Sequence, residues 1–323
     1  MPLIDMPMEK LKTYQGVTPC PSDLDEFWNR SLEEMYQIDP QLELVPADFQ
    51  VDFAECFDMF FTGVEGARVH AKLLRPKNVK TPHPAVLQFH GYSGDCGDWG
   101  SKLGLVAQGM TVAALDCRGQ GGISEDVGGV KGWTLRGHFI RGLDNALNGH
   151  PEKLLFRNIF LDTAQMAKIV MEMPDVDEKR VGAMGGSQGG GLTLACASLV
   201  PEIKYAAPDF PFLTDYRRVW EMDLDVGAYD ELRVFFRKFD PQHKRENEIF
   251  ETLGYIDIQN LTKRIKAKVF MGTGLMDITC PPSTQFAAYN KIQSEKSVEI
   301  YPDFGHEILP GHADRVFQLM KTL

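Results

Sequence analysis

Hydrophobic and polar positions change period several times along the chain. From Ser22 to Tyr36 the apolar residues Leu24, Phe27, Trp28, Leu32 and Met35 fall on one face of a helix. Ser22 is the expected N-cap, with Asp23, Asp25 and Glu26 in the first turn, where the helix dipole favours negative charge. Val51–Phe61 and Arg68–Leu74 are extended runs around Gly63-Val64-Glu65-Gly66, the pattern of an antiparallel hairpin.

Beyond the hairpin the extended runs become short and mostly apolar. Ala85–Phe89 ends at His90-Gly91, Thr111–Leu115 at Asp116, and Arg180–Met184 in glycines. Tyr205–Ala207 ends at Pro208-Asp209, Lys268–Met271 at Gly272, and Val298–Tyr301 at Pro302. Helical patterns alternate with them: Ile159–Met173, closed by Pro174, then Gly190–Leu199, then a terminal amphipathic helix Asp314–Leu323. This alternation predicts an α/β fold with a mostly parallel central sheet, an N-terminal antiparallel hairpin, and helices on both faces. Two stretches, 121–150 and 212–261, do not fit the minimal alternation. They are expected to be insertions at the C-terminal edge of the sheet, forming pocket walls within one domain spanning 1–323.

Composition narrows the reading further. The 323 residues are 43 % hydrophobic and 24 % charged, an ordinary globular balance with material for a large core. A formal net charge of −11 argues against nucleic acid or an anionic membrane as partner. No apolar run approaches the ~20 residues of a membrane span, and Met1–Pro7 lacks the basic and apolar regions of a secretory signal. The six cysteines are scattered without a CxxC pair, which fits reduced thiols and a cytoplasmic location.

The chemistry concentrates in Gly185-Gly186-Ser187-Gln188-Gly189, a G-x-S-x-G pentapeptide. Taken alone it is weak, since a serine in a Gly-rich turn can be incidental. A strand run before it and a helical run after it make it a nucleophile elbow, with Ser187 beside a helix N-terminus. A serine hydroxyl needs a general base. His306 follows the last strand run and precedes the terminal helix, where the chain order of this elbow puts the base. The acid belongs after the preceding strand, at Asp277; Asp209 competes, and Asp303 more weakly. Asp277 could also serve only to cap a turn before Pro281-Pro282. Two backbone N–H groups must face the developing oxyanion. They are expected from Gln188, directly after the nucleophile, and from Tyr92 in His90-Gly91-Tyr92-Ser93-Gly94. His90 reads as a structural hydrogen-bonder. Trp99 and Trp133 could line a sugar-facing pocket, although large aromatics more often pack. The eight histidines and six cysteines show no zinc-ligand spacing, and Gly119-Gln120-Gly121-Gly122 is not a phosphate loop. No metal and no cofactor is expected.

Arg118-Gly119-Gln120, Gly186-Ser187-Gln188-Gly189 and His306-Glu307 add a further layer, together with Gly274-Leu275-Met276-Asp277 and Cys280-Pro281-Pro282-Ser283-Thr284. In combination they resemble the acetyl xylan esterase / cephalosporin C deacetylase family, carbohydrate esterase family seven, of the α/β-hydrolase superfamily. The likeness runs from Asp25-Glu26-Phe27-Trp28 to the terminal helix. It implies a Ser187–Asp277–His306 triad, oxyanion donors at Tyr92 and Gln188, and a mainly structural Arg118-Gly119-Gln120. It also implies cofactor-free deacetylation of short acetylated xylo-oligosaccharides and cephalosporin C. An intracellular homohexamer with inward-facing sites is implied as well. The glycine-rich 121–149 stretch departs from a simple match and bears on pocket shape. Two other readings stay open, a small-peptide serine peptidase and a non-catalytic ligand sensor, because a fold alone does not fix function.

Overall fold

A computed structural model describes residues 4–127 and 137–323. Trp133 and the middle of the 121–150 stretch lie outside the described residues.

One nine-stranded sheet organises the chain: β1 (Glu43–Pro46), β2 (Ala54–Thr62), β3 (Arg68–Pro76), β4 (His83–Phe89), β5 (Thr111–Leu115), β6 (Val176–Gly186), β7 (Tyr205–Asp209), β8 (Lys268–Gly274) and β9 (Lys296–Tyr301). Their order across the sheet is β1-β2-β3-β5-β4-β6-β7-β8-β9. The first three pair antiparallel, β3 meets β5 antiparallel, and from β5 to β9 every pairing is parallel. The expected hairpin is β2 and β3. The edge strand β1 has no counterpart in the sequence reading: Glu43-Leu44-Val45-Pro46 is mostly exposed, so no period marks it.

The parallel strands alternate as a sheet covered on both faces requires. Ala85, Leu87, Phe89, Ala113, Leu115, Val181 and Ala183 enter the larger core. Val86 and Val112 point the other way, into a smaller core with Leu105, Val106, Val316 and Met320. The larger core is closed by α1 (Leu24–Tyr36), α2 (Leu155–Met171) and α3 (Gln188–Leu199). The insertion after β7 contributes α4 (Tyr216–Glu221), α5 (Asp230–Phe239) and α6 (Glu246–Leu253), among shorter turns, and α7 (Pro282–Lys291) and α8 (His312–Met320) follow β8 and β9. Among the described residues no helix is long and apolar enough to cross a membrane.

All five apolar residues expected on the buried face of α1 are buried. Its cap differs from expectation. Asp23, not Ser22, precedes the first helical residue, and the Asp23 carboxylate is taken by the Tyr255 hydroxyl at 2.6 Å. The helix therefore starts without a side-chain cap. Helix α2 starts four residues earlier than its apolar period suggested, because Arg157 and Asn158 are buried through hydrogen bonds to Ser31, Glu34 and Glu65.

The register matters most for the site. Phe89 pairs with Gly185, Gly186 with Asp209, Asp209 with Gly272, and Gly274 with Tyr301. The C-terminal ends of β4, β6, β7, β8 and β9 are thus aligned, and the loops leaving them converge. The chain adds β5 on one side of β4 and β6 on the other, which makes a topological switch point at β4.

Candidate active site

Ser187 sits between β6 and α3 at φ +58°, ψ −120°. This left-handed backbone costs a non-glycine residue about 1–3 kcal/mol. Its N–H donates to Asp209 O at 3.0 Å, and its carbonyl accepts from Gly191 and Phe212 N–H, each at 3.0 Å. Close approach explains the flanking glycine: a Cβ on Gly189 would stand 2.1 Å from the Phe89 carbonyl oxygen. The tight elbow lifts the hydroxyl to the mouth of the sheet at the N-terminus of α3, where the dipole favours developing negative charge.

The structure brings Ser187, His306 and Asp277 together. Ser187 Oγ lies 3.0 Å from His306 Nε2, and His306 Nδ1 lies 2.8 Å from Asp277 Oδ2. The carboxylate can only accept, so the network assigns the ring proton to Nδ1 and leaves Nε2 free to take the serine proton. Asp277 is fully buried, and its other oxygen accepts the N–H groups of Thr279 (2.8 Å) and Cys280 (2.7 Å). The turn-capping use of this Asp is therefore real, and coexists with its contact to His306. Gly274 lets the acid loop touch the histidine loop: a Cβ there would meet the Phe304 carbonyl at 2.3 Å, and Met276 N–H donates to that carbonyl at 2.9 Å.

The competing acids lie elsewhere. Asp209 Oδ1 is 2.7 Å from His312 Nε2, a charge contact without hydrogen-bond alignment, and His312 also binds Glu299 at 2.7 Å. Asp303 is exposed.

Gln188 opens α3, so its N–H is one of the helix-start donors without an intrahelical acceptor. Among the described residues no backbone acceptor takes the N–H of Tyr92. The Gln188 and Gln120 side chains exchange two amide hydrogen bonds at 2.8 and 2.9 Å, and Gln120 Oε1 also accepts the Ser93 N–H at 3.0 Å. Arg118 makes a buried bidentate pair with Asp162 at 2.6 and 2.7 Å and donates to Val64 O at 2.9 Å. The Arg118-Gly119-Gln120 string thus anchors one end in the core and braces the elbow with the other. His90 is structural: Nδ1 faces Gly91 O at 2.7 Å, Nε2 accepts the Cys117 N–H at 3.0 Å, and burial lowers its pKa.

Several site neighbours carried no sequence signal. The Phe210 ring packs edge-on against His306, centroids 4.7 Å apart. Glu231 of α5 accepts the Tyr92 hydroxyl. Cys280 stands beside Ser187; burial pushes its thiol well up, keeping it neutral. Trp99 is half-buried, stacked on Phe49 and covered by Lys72, which is packing and not pocket lining.

Among the described residues two clusters offer metal-type ligands, Asp277–Cys280–His306 and His70–Cys96–Asp116. In both, the histidine nitrogens are already held by protein oxygens: Asp277 and Ser187 in the first, Asp116 and Asp58 in the second. The donor sets suit proton relay and ion pairing better than metal coordination.

The acetyl xylan esterase (AXE1) family model matches residues 1–323. Acetyl xylan esterase 1 of Thermoanaerobacterium sp. JW/SL YS485 is 58 % identical, with TM-score 0.96 over 99 % of each chain. An acetyl xylan esterase from Paenibacillus sp. R4 is 34 % identical, with TM-score 0.92, covering 98 % of this chain and 99 % of its own. Acetyl esterase Axe7A of Xylanibacter ruminicola is 25 % identical over 301 residues, 91 % of this chain; the chain spans 64 % of that relative's length. The strand order, the elbow and these likenesses agree: the chain has the α/β-hydrolase fold and belongs to the acetyl xylan esterase family.

Proposed function

We propose that this protein is a serine esterase that removes acetyl groups from small acetylated carbohydrates such as xylo-oligosaccharides, and from cephalosporin C-like esters. The observation that carries the reading is the hydrogen-bonded relay from Ser187 through His306 to Asp277, in a chain 58 % identical to an acetyl xylan esterase.

Ser187 Oγ attacks the acetyl carbonyl as its proton passes to His306 Nε2. Asp277 holds the imidazole in the reactive tautomer and stabilises the imidazolium. The Tyr92 and Gln188 N–H groups hold the tetrahedral oxyanion. His306 returns the proton to the leaving sugar oxygen, giving acetyl-Ser187. Water, deprotonated by His306, then releases acetate and restores the hydroxyl. The relay calls on no cofactor. The insertions 121–150 and 212–261 serve as pocket walls. A cytoplasmic assembly of six copies with enclosed sites is part of the same proposal, and its mass in solution tests it.

The deciding experiment measures acetate release from acetylated xylo-oligosaccharide, cephalosporin C and p-nitrophenyl esters of increasing acyl length, beside peptide anilides. Ser187-dependent release restricted to short acyl groups is expected. Cleavage of the anilides alone, or tight ligand binding without turnover, would reject the esterase reading.

A further inference from the structure

Glu231 stands in the first turn of α5 and is only 7 % exposed. A carboxylate so placed must find donors or give up its charge. It finds them from two directions. The N–H of His138 lies 2.9 Å from each oxygen, the Ile140 N–H lies 3.2 Å from Oε2, and the Phe139 N–H also donates. From the other side the Tyr92 hydroxyl donates to Oε1. Gly137 at φ +124° makes the approach feasible, since a Cβ there would stand 2.9 Å from Glu231 Oε2. Burial pushes the Glu231 carboxyl up to about 7 against these donors.

Three successive backbone N–H groups already form a nest for the carboxylate. The phenol is an additional, side-chain donor, and it belongs to Tyr92. The rest of that turn is pinned as well. Ser93 holds φ +58°, gives its N–H to Gln120, and places Oγ 3.0 Å from His138 Nε2. The Tyr92 ring meets His138 and Phe212 edge-on, centroids 4.6 and 5.8 Å away. With the ring held at its hydroxyl and along its edges, and the next peptide held by Gln120, the Tyr92 peptide has little freedom to turn.

We propose that Glu231 is a positioning residue for ester hydrolysis: it holds the Tyr92 side chain and so aims the Tyr92 N–H at the acetyl oxyanion. This rests on the esterase reading above and assigns a task in it to the second insertion. Glu231 touches no reacting atom. Its effect belongs to the transition state, where the carbonyl oxygen gains charge, and not to ground-state binding.

The test compares p-nitrophenyl acetate hydrolysis by the full chain and by Tyr92→Phe, Glu231→Ala, the double variant and Ser187→Ala. Tyr92→Phe keeps both the peptide N–H and the nest around Glu231, so it isolates the phenol contact. Tyr92→Phe and Glu231→Ala are each expected to lower kcat about 10- to 100-fold, the scale of a misplaced catalytic group, with KM nearly unchanged. The double variant should lose no more than the worse single one, because the two residues act through one contact. Wild-type kcat in Tyr92→Phe, or fully additive losses, would overturn the proposal. If Glu231→Ala does not fold, the kcat of Tyr92→Phe decides. Full turnover by Ser187→Ala would instead defeat the underlying esterase reading, so the two failures are distinct.

Discussion

Gln120 and Gln188 face each other in a closed amide pair, Nε2 of each donating to Oε1 of the other at 2.8 and 2.9 Å. Each amide satisfies its partner, and Gln188 is fully buried, where unpaired polar atoms are costly. The pair joins the loop after β5 to the first residue of α3, and Gln120 extends the tie to Ser93. Gln120→Ala is therefore expected to lower kcat about tenfold with little change in KM, as for a group that fixes geometry. Steady-state kinetics check it; a change confined to KM would assign the pair to substrate binding.

Ser187→Ala should lower turnover by about 10⁴-fold or more while unfolding close to the wild-type temperature. The strained φ adds a second expectation. Ser187→Gly, which tolerates φ +58°, should unfold at a higher temperature than Ser187→Ala. Calorimetry of the two inactive variants checks this.

Asp277→Asn should retain the turn, since the amide oxygen can still accept the Thr279 and Cys280 N–H groups. It would favour the wrong imidazole tautomer, and a loss of about 10⁴-fold in kcat is expected. A loss below tenfold would place the acid elsewhere.

His70 supplies a pH-dependent term away from the site. Burial alone would disfavour its charge, but hydrogen bonds to Asp116 at 2.6 Å and Asp58 at 2.8 Å raise its pKa above the usual histidine value. A raised folded-state pKa stabilises below the unfolded value and loses that contribution as pH rises through the folded one. Asp116 behaves oppositely: burial would raise it, yet His70 and the Cys96 N–H hold it well below the carboxylate range. The pair is thus strongest between about pH 4 and 6.5. Breaking it with His70→Gln should cost about 3–5 kcal/mol there, and less at pH 9. Denaturant unfolding at both pH values measures the difference.

All six cysteines are free thiols and only Cys20 is exposed. A thiol reagent should titrate one group in the native protein and six in denaturant.

The parallel strands were legible because both of their faces are buried, and the elbow because its glycines answer to backbone collisions that any such turn meets. The elbow and chain order pointed to Ser187 and His306 and favoured Asp277 over Asp209 and Asp303 as the acid, and the structure sets Ser187, His306 and Asp277 within hydrogen-bonding distance. Strand β1 was hidden because an exposed edge segment needs no period. The cap of α1 was misread because Asp23 binds Tyr255, a partner 232 positions away. Glu231 was invisible for the same reason: on α5 it looks like any acidic first-turn residue, and its meaning comes from Tyr92, 139 positions earlier.

The aligned strand ends have a consequence for how such a chain can change. Ser187, His306 and Asp277 leave the sheet from β6, β9 and β8, whereas the long insertions leave from β5 and β7. In the proposed reaction the relay is therefore written on other stretches of chain than the insertions, with Glu231 tying the second insertion to the Tyr92 turn. An insertion that keeps the Glu231 contact can lengthen, shorten or be exchanged with a homologue's while the strand register keeps the relay in place, so the proposed chemistry can meet new esters without being rebuilt.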